Sequence, residues 1–107
     1  MAAYHEVVSE HQRLVILQAL TEDADYSHNE AVLHSMLAAI GHGLSLDALR
    51  AQLRWLEDVG LVTVEEVKLV GLVARVTARG VDAARGLARV DGVARPRPGM
   101  SHGVGHV

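Results

Sequence analysis

Arg50 and Arg54 are the residues whose type and spacing most directly suggest chemistry. They lie four residues apart, which places them one turn apart on a single face if the segment around them is helical. A guanidinium so placed can donate two parallel hydrogen bonds to guanine O6 and N7 in a DNA major groove, and an outward-facing Gln52 could read adenine in the same manner. Lys68 and Arg75 follow further along and could neutralise phosphates, which supply much of the affinity for nucleic acid. Arg95 and Arg97 alternate with Pro96 and Pro98, an extended basic arm suited to the negative potential of a minor groove. This set predicts duplex DNA as a partner. Other residues oppose it. Asp47 precedes Arg50 by three positions and Asp58 follows Arg54 by four, so both arginines can form surface ion pairs of about 0.2–0.5 kcal/mol each. Glu65 and Glu66 repel phosphate. Val67, Leu69 and Val70 are apolar for an exposed loop and predict a protein interface instead.

No other chemistry is prominent. There is no cysteine, which excludes disulfides, thiol nucleophiles and thiolate metal sites together. The seven histidines fall around residues 5–11, 28–42 and 102–106 without a recognised zinc spacing. His102 and His106 are four apart, but in a glycine-rich stretch that spacing implies no shared helical face. Glu22, Asp23 and Asp25 match no cation loop. A glycine-rich phosphate loop, a nucleophile elbow and paired catalytic acids are all missing from the pattern. The expectation is a protein that binds, with no cofactor, no metal and no enzymatic activity.

The chain of 107 residues is long enough for one core. Half of it is hydrophobic, yet it has no Phe, one Trp and two Tyr, so the core must be built from Leu, Val, Ile, Ala and Met. No apolar run approaches the roughly 20 residues of a membrane span. The first residues lack the basic and apolar regions of a signal peptide. Both features, with the absent cysteines, lead to an expected cytoplasmic location. The net charge of −3 hides a division. Residues 1–67 hold eleven acids and three bases, and residues 68–107 hold two acids and seven bases. The basic part could face nucleic acid, or pair with the acidic part of the same fold or of a second subunit.

The periodicity supplies elements to carry these groups. Residues 3–20 predict a helix with Val7, Leu14, Leu17 and Leu20 along one side, widened by Val8, Val15 and Ile16. Residues 21–26 predict a loop. Ser27 and Glu30 have capping-box spacing and predict a second helix, with Val32, Leu33, Met36, Leu37 and Ile40 inside and Gly41 and Gly43 ending it. Ser45 predicts the cap of a third helix, buried along Leu46, Leu49, Leu53 and Leu56, flanked by Trp55 and Val59, and stopped by Gly60. Residues 61–64 and 72–77 alternate as strands around a wing tip at 65–71. Thr77 predicts the cap of a fourth helix, with Val81, Ala84 and Leu87 buried and Gly86 weakening it. From Arg89 the periodicity fails, and both prolines lie beyond it. The predicted organisation is a domain at 1–88 and a flexible Gly/Pro/Arg-containing tail at 89–107. The fold class is mainly α with a β-hairpin wing, an α+β winged helix-turn-helix.

The run Leu53-Arg54-Trp55-Leu56-Glu57-Asp58-Val59-Gly60-Leu61-Val62 resembles the junction of recognition helix and wing in winged helix-turn-helix regulators. Val76-Thr77-Ala78-Arg79-Gly80 resembles their strand-to-helix transition. Over residues 11–98 the sequence is similar to a family of small proteins of Mu-like bacteriophages and prophages that are often described as similar to the ArsR regulators. The matching pieces are Arg13-Leu14-Val15-Ile16-Leu17, Tyr26-Ser27-His28-Asn29-Glu30, Gly41-His42-Gly43-Leu44-Ser45, Trp55-Leu56-Glu57 and Gly92-Val93-Ala94-Arg95-Pro96. The resemblance implies a winged helix of phage origin. The metal-sensing cysteines of ArsR repressors are absent, so thiolate sensing does not carry over. Two functions follow as expectations. One is a homodimeric phage or prophage transcriptional regulator acting by operator occupancy. The other is a protein-interaction module contacting a phage or host protein, as an assembly or packaging accessory or an inhibitor of a host defence complex.

Overall fold

The computed structural model describes residues 3–97. The chain runs α1 (Tyr4–Glu22), β1 (Ser27–Asn29), α2 (Glu30–Ala39), α3 (Leu46–Asp58), β2 (Val62–Val67), β3 (Gly71–Val76) and α4 (Ala78–Ala84). The class is α+β. The strands form an antiparallel sheet in the order β1-β3-β2, an arrangement compatible with a winged helix-turn-helix. Among the described residues no helix is long and apolar enough to cross a membrane.

The helix starts follow from their caps. Ser45 accepts a hydrogen bond from the Ala48 amide at 3.0 Å, and Thr77 accepts one from the Gly80 amide at 3.1 Å. At the start of α2 the expectation fails. Asn29, not Ser27, is the cap, accepting from the Val32 amide at 2.9 Å. Residues 27–29 extend instead and pair with β3, Ser27 opposite Arg75 and Asn29 opposite Val73. That pairing covers an edge of β3 that would otherwise present open backbone groups.

Leucines dominate the core. Leu14, Ile16, Leu17 and Leu20 of α1 meet Leu33 and Leu37 of α2, and Leu49, Leu53 and Leu56 of α3, with Leu61, Val62, Leu72, Ala74 and Val76 from the hairpin region. The core is narrower than the apolar stripes predict. Val7, Val32, Met36, Ile40, Leu46 and Leu87 remain exposed. Leu87 is outside because α4 already ends at Ala84 and Gly86 turns the chain with φ +79°.

The hairpin is tighter than the expected wing. Glu65 and Glu66 are residues of β2, paired with Val73 and Leu72, so only residues 68–70 form the tip. The turn closes through the Val70 amide to the Val67 carbonyl at 3.0 Å, with Leu69 in the left-handed region at φ +68°.

Packing does not stop at residue 88. Val93 is buried, the Ala94 amide donates to the Glu10 carbonyl at 3.1 Å, and the Gly92 carbonyl accepts from Arg13 Nη1 at 2.8 Å. Residues 90–94 therefore belong to the fold, because Val90, Val93 and Ala94 have apolar partners on the helices. The remainder of the expected tail from residue 98, with His102 and His106, lies outside the described residues. Gly92 sits at φ +91° against the Trp55 ring, and a β-carbon there would lie 2.6 Å from Trp55 Cζ2. Gly92→Ala is expected to lift this segment from the indole. Since Trp55 is the lone tryptophan, its fluorescence emission should move to longer wavelength; an unshifted spectrum would show that the ring accommodates the methyl group.

Candidate functional site

The groove between α3 and the hairpin gathers the most charge. It encloses about 260 Å³ and is lined by Glu30, Arg50, Arg54, Glu66, Gly71 and Leu72. Its centre is the Glu30 carboxylate, whose spacing from Ser27 predicts the far partner of a capping box. Glu30 is buried, and one of its oxygens accepts from Arg50 Nε at 3.1 Å and from the Leu72 amide at 2.8 Å. The other accepts from Arg50 Nη2 at 2.7 Å. This fork ties α2, α3 and β3 together. The Arg50 and Leu72 hydrogen bonds hold the Glu30 carboxyl below its ordinary pKa despite its burial, and Glu30 in turn raises that of Arg50. Gly71 makes the approach possible. It has φ +101°, and a β-carbon there would lie 2.5 Å from Glu30 Cδ. A hint was present in the sequence. Glu30 is the only Asp, Glu, Lys or Arg between Asp25 and Asp47.

The predicted DNA-contacting residues do not converge. Arg50 is committed to Glu30, with Asp47 also 3.8 Å away. Arg54 projects outward, but its Nη1 is 3.0 Å from Glu57. Gln52 faces inward, at 8% exposure, contrary to an adenine-reading role. Its Oε1 accepts from Arg13 Nε at 2.7 Å, and its Nε2 donates to Gln12 at 3.1 Å. The cause is its place on the helix, one position before Leu53 and beside Trp55, over which the Arg13 guanidinium stacks at 3.9 Å. Arg75 alternates with buried Ala74 and Val76, so it lies on the sheet face away from the helices, where Nη1 donates to the Asp25 carbonyl at 2.7 Å. Lys68 is exposed at the hairpin tip. Arg95 and Arg97 are exposed beyond the packed segment. Their partner Pro96 lies near Gly86, at the end of α4.

The predicted protein-contacting residues do sit together. Val67 ends β2, paired with Gly71, and Leu69 and Val70 form the turn beside it. Leu69 is fully exposed at 100%, and Val70 is 45% exposed. On α3 and the hairpin, the surface bases are Arg50, Arg54, Lys68 and Arg75. Against them stand Asp47, Glu57, Asp58, Glu65 and Glu66. The balance is acidic by a single charge, and the tip is apolar.

The histidines are dispersed. His34 Nε2 lies 2.8 Å from the Leu44 carbonyl, His11 Nδ1 lies 2.9 Å from the Val7 carbonyl, and His28 Nε2 lies 3.6 Å from Asp23. Among the described residues no three His, Asp or Glu side chains come together as a metal site.

Sequence relatives accompany this geometry. The chain is 45% identical to the uncharacterized protein gp26 of Escherichia phage Mu over 94 residues, covering 88% of this chain and 96% of gp26. It is 40% identical over 77 residues to an uncharacterized protein of Haemophilus influenzae, covering 72% of this chain and 74% of that protein. No protein-family model matches the chain, so the expected kinship with ArsR regulators gains no support while the likeness to a Mu protein holds.

Proposed function

The chain belongs to the family of the uncharacterized protein gp26 of Escherichia phage Mu, and from that premise we propose that it is a phage-related winged helix that works by binding another protein. The contact surface is the outer face of α3 with the hairpin tip. One observation carries this reading: the hairpin ends in a fully exposed Leu69, on a surface where four bases stand against five acids and each arginine has a partner within the molecule. Affinity for a nucleic-acid backbone grows with the number of phosphates that cations neutralise. Here Arg50 is already engaged by Glu30 and Arg54 by Glu57. A partner presenting an apolar pocket rimmed by Lys and Arg would be complementary in shape and sign. The protein acts in the cytoplasm of the host and carries out no covalent chemistry of its own.

The experiment is affinity capture of the tagged protein from host cells during growth of a related phage, followed by titration of the recovered partner. Burial of one exposed leucine contributes roughly 1.5–3 kcal/mol. Leu69→Asp should therefore weaken binding at least about tenfold. A partner bound equally well by Leu69→Asp would refute the hairpin tip as the contact.

A second reading is favoured by the outward position of Arg54 on a helix that follows a short glycine-containing turn. It is a transcriptional regulator that occupies duplex DNA through α3. Fluorescence polarisation on short duplexes separates the two. Binding that falls by about 10³ or more between 50 and 200 mM salt, and that is lost in Arg54→Ala, would establish the DNA reading at the expense of the first.

A further inference from the structure

Residues 31–46 contain no Asp, Glu, Lys or Arg, in a chain with ten bases and thirteen acids. The core uses only part of this stretch. Leu33 and Leu37 are buried, and His34 turns inward to the Leu44 carbonyl. The opposite arc of α2 is in solvent. Val32, Met36 and Ile40 are 39%, 37% and 56% exposed. At steps of four they form one ridge along the helix. Ala31, Ser35, Ala38 and Ala39 are also exposed and lie beside it. The result is a row of large apolar groups next to a furrow of small ones, with no charge in either.

We infer that this face binds a second copy of the chain. Two α2 helices pack antiparallel about a twofold axis, and the ridge of each copy occupies the furrow of the other. A twofold contact sets the same patch against itself, so every charge near the axis meets its own sign. Most of this half of the molecule could not do that, because residues 1–67 carry eleven acids and three bases. The α2 face is the neutral exception. A foreign partner with a charged rim would find nothing here to pair with, and charge pairing is what selects such partners. The row Val32-Met36-Ile40 beside the smaller row Ala31-Ser35-Ala38 gives the α2 pair a ridge and a groove to interlock. This surface is separate from the hairpin tip, so either contact can fail without the other.

The α2 helix of ten residues is about 15 Å long. A helix pair of that length falls below the roughly 1,000 Å² of a stable interface, so the dimer should be weak and concentration-dependent. Sedimentation velocity from about 10 to 300 µM, where weak association of this kind is populated, is expected to show mass rising from 11.5 kDa toward twice that value. Met36→Lys and, independently, Ser35→Arg should hold the protein at the monomer mass across the range, with circular dichroism reporting an intact fold. Leu69→Asp should leave the association unchanged. Because the chain has no cysteine, Ser35→Cys provides a second readout. It should oxidise to a covalent dimer faster than Leu69→Cys, although Leu69 is the more exposed site. A wild-type protein that stays monomeric throughout, or a dimer that survives both charged variants, overturns the inference.

Discussion

Glu30→Ala is expected to lower the stability of the fold by about 2 kcal/mol, the cost of leaving a buried backbone donor without its acceptor and a guanidinium without its counter-ion. For a domain of this size that corresponds to a fall of roughly 10 °C in melting temperature. The local signature should be faster amide exchange at Leu72, whose N–H loses its acceptor. Arg50 is half exposed and can turn to water, so the backbone donor accounts for most of the effect. Glu30→Gln separates the two contributions, since its amide oxygen can still accept from Leu72 while the ion pair is gone. The pH dependence has a definite sign. The native Glu30 pKa lies below the unfolded value of about 4.3. The stability it contributes is fully present above that unfolded value and is lost as pH falls through the native one. The melting-temperature gap between wild type and Glu30→Gln should therefore be wide at neutral pH and close under acid. A Glu30→Ala protein within about 2 °C of wild type at neutral pH would show that the fork does not hold the hairpin. The same coupling affects tests of DNA binding. Arg50→Ala strips Glu30 of its partner, so a loss of binding in that variant alone would report on the hairpin's attachment as well as on phosphate contact.

The elements were legible where periodicity and capping chemistry agreed. Ser45, Gly60 and Thr77 act at the positions their residue types predict. The leucines of α3 also point inward as their spacing requires, apart from Leu46 at its first position. Reading failed where a residue had two plausible partners. Ser27 and Asn29 are both good caps, and local spacing cannot reveal that β3 has an edge to be covered. Gln52 is a polar residue on an amphipathic helix, and only the approach of Gln12 and Arg13 from α1 makes its inward position favourable. Val32, Met36 and Ile40 show the converse. Helical spacing marks them as apolar, but it does not say whether the apolar surface is covered within the molecule or by another one. Charge behaved likewise. The arginines at 50 and 54 were visible, but whether they are free was decided by Glu30, twenty residues away, and Glu57.

Gly80→Ala is expected to destabilise the protein by about 2 kcal/mol or more, against the usual direction for this substitution. Inside a helix alanine is favoured over glycine by about 1 kcal/mol. At Gly80 a β-carbon would lie 2.1 Å from the Leu61 carbonyl oxygen and 2.6 Å from Val76 Cγ2. The first obstacle is backbone and cannot rotate away. That carbonyl is also held in place, accepting from the Thr77 amide at 3.0 Å and from the Thr77 hydroxyl at 3.1 Å. Overpacking of this kind costs about 1–3 kcal/mol, and more where backbone must shift, so it outweighs the propensity gain. Urea denaturation measures the result, with exposed Asp82→Ala as the control for propensity alone. A Gly80→Ala midpoint at or above wild type would mean that α4 slides along the hairpin at little cost. Gly80 and Thr77 fasten the base of the hairpin, and Glu30 fastens it beside the tip, with β3 (Gly71–Val76) between them. The two sites share no partner, so independent fastenings predict that Gly80→Ala and Glu30→Ala add within about 0.5 kcal/mol. A double variant clearly more stable than that sum would mean that β3 detaches as one piece, so that releasing either end already forfeits the other.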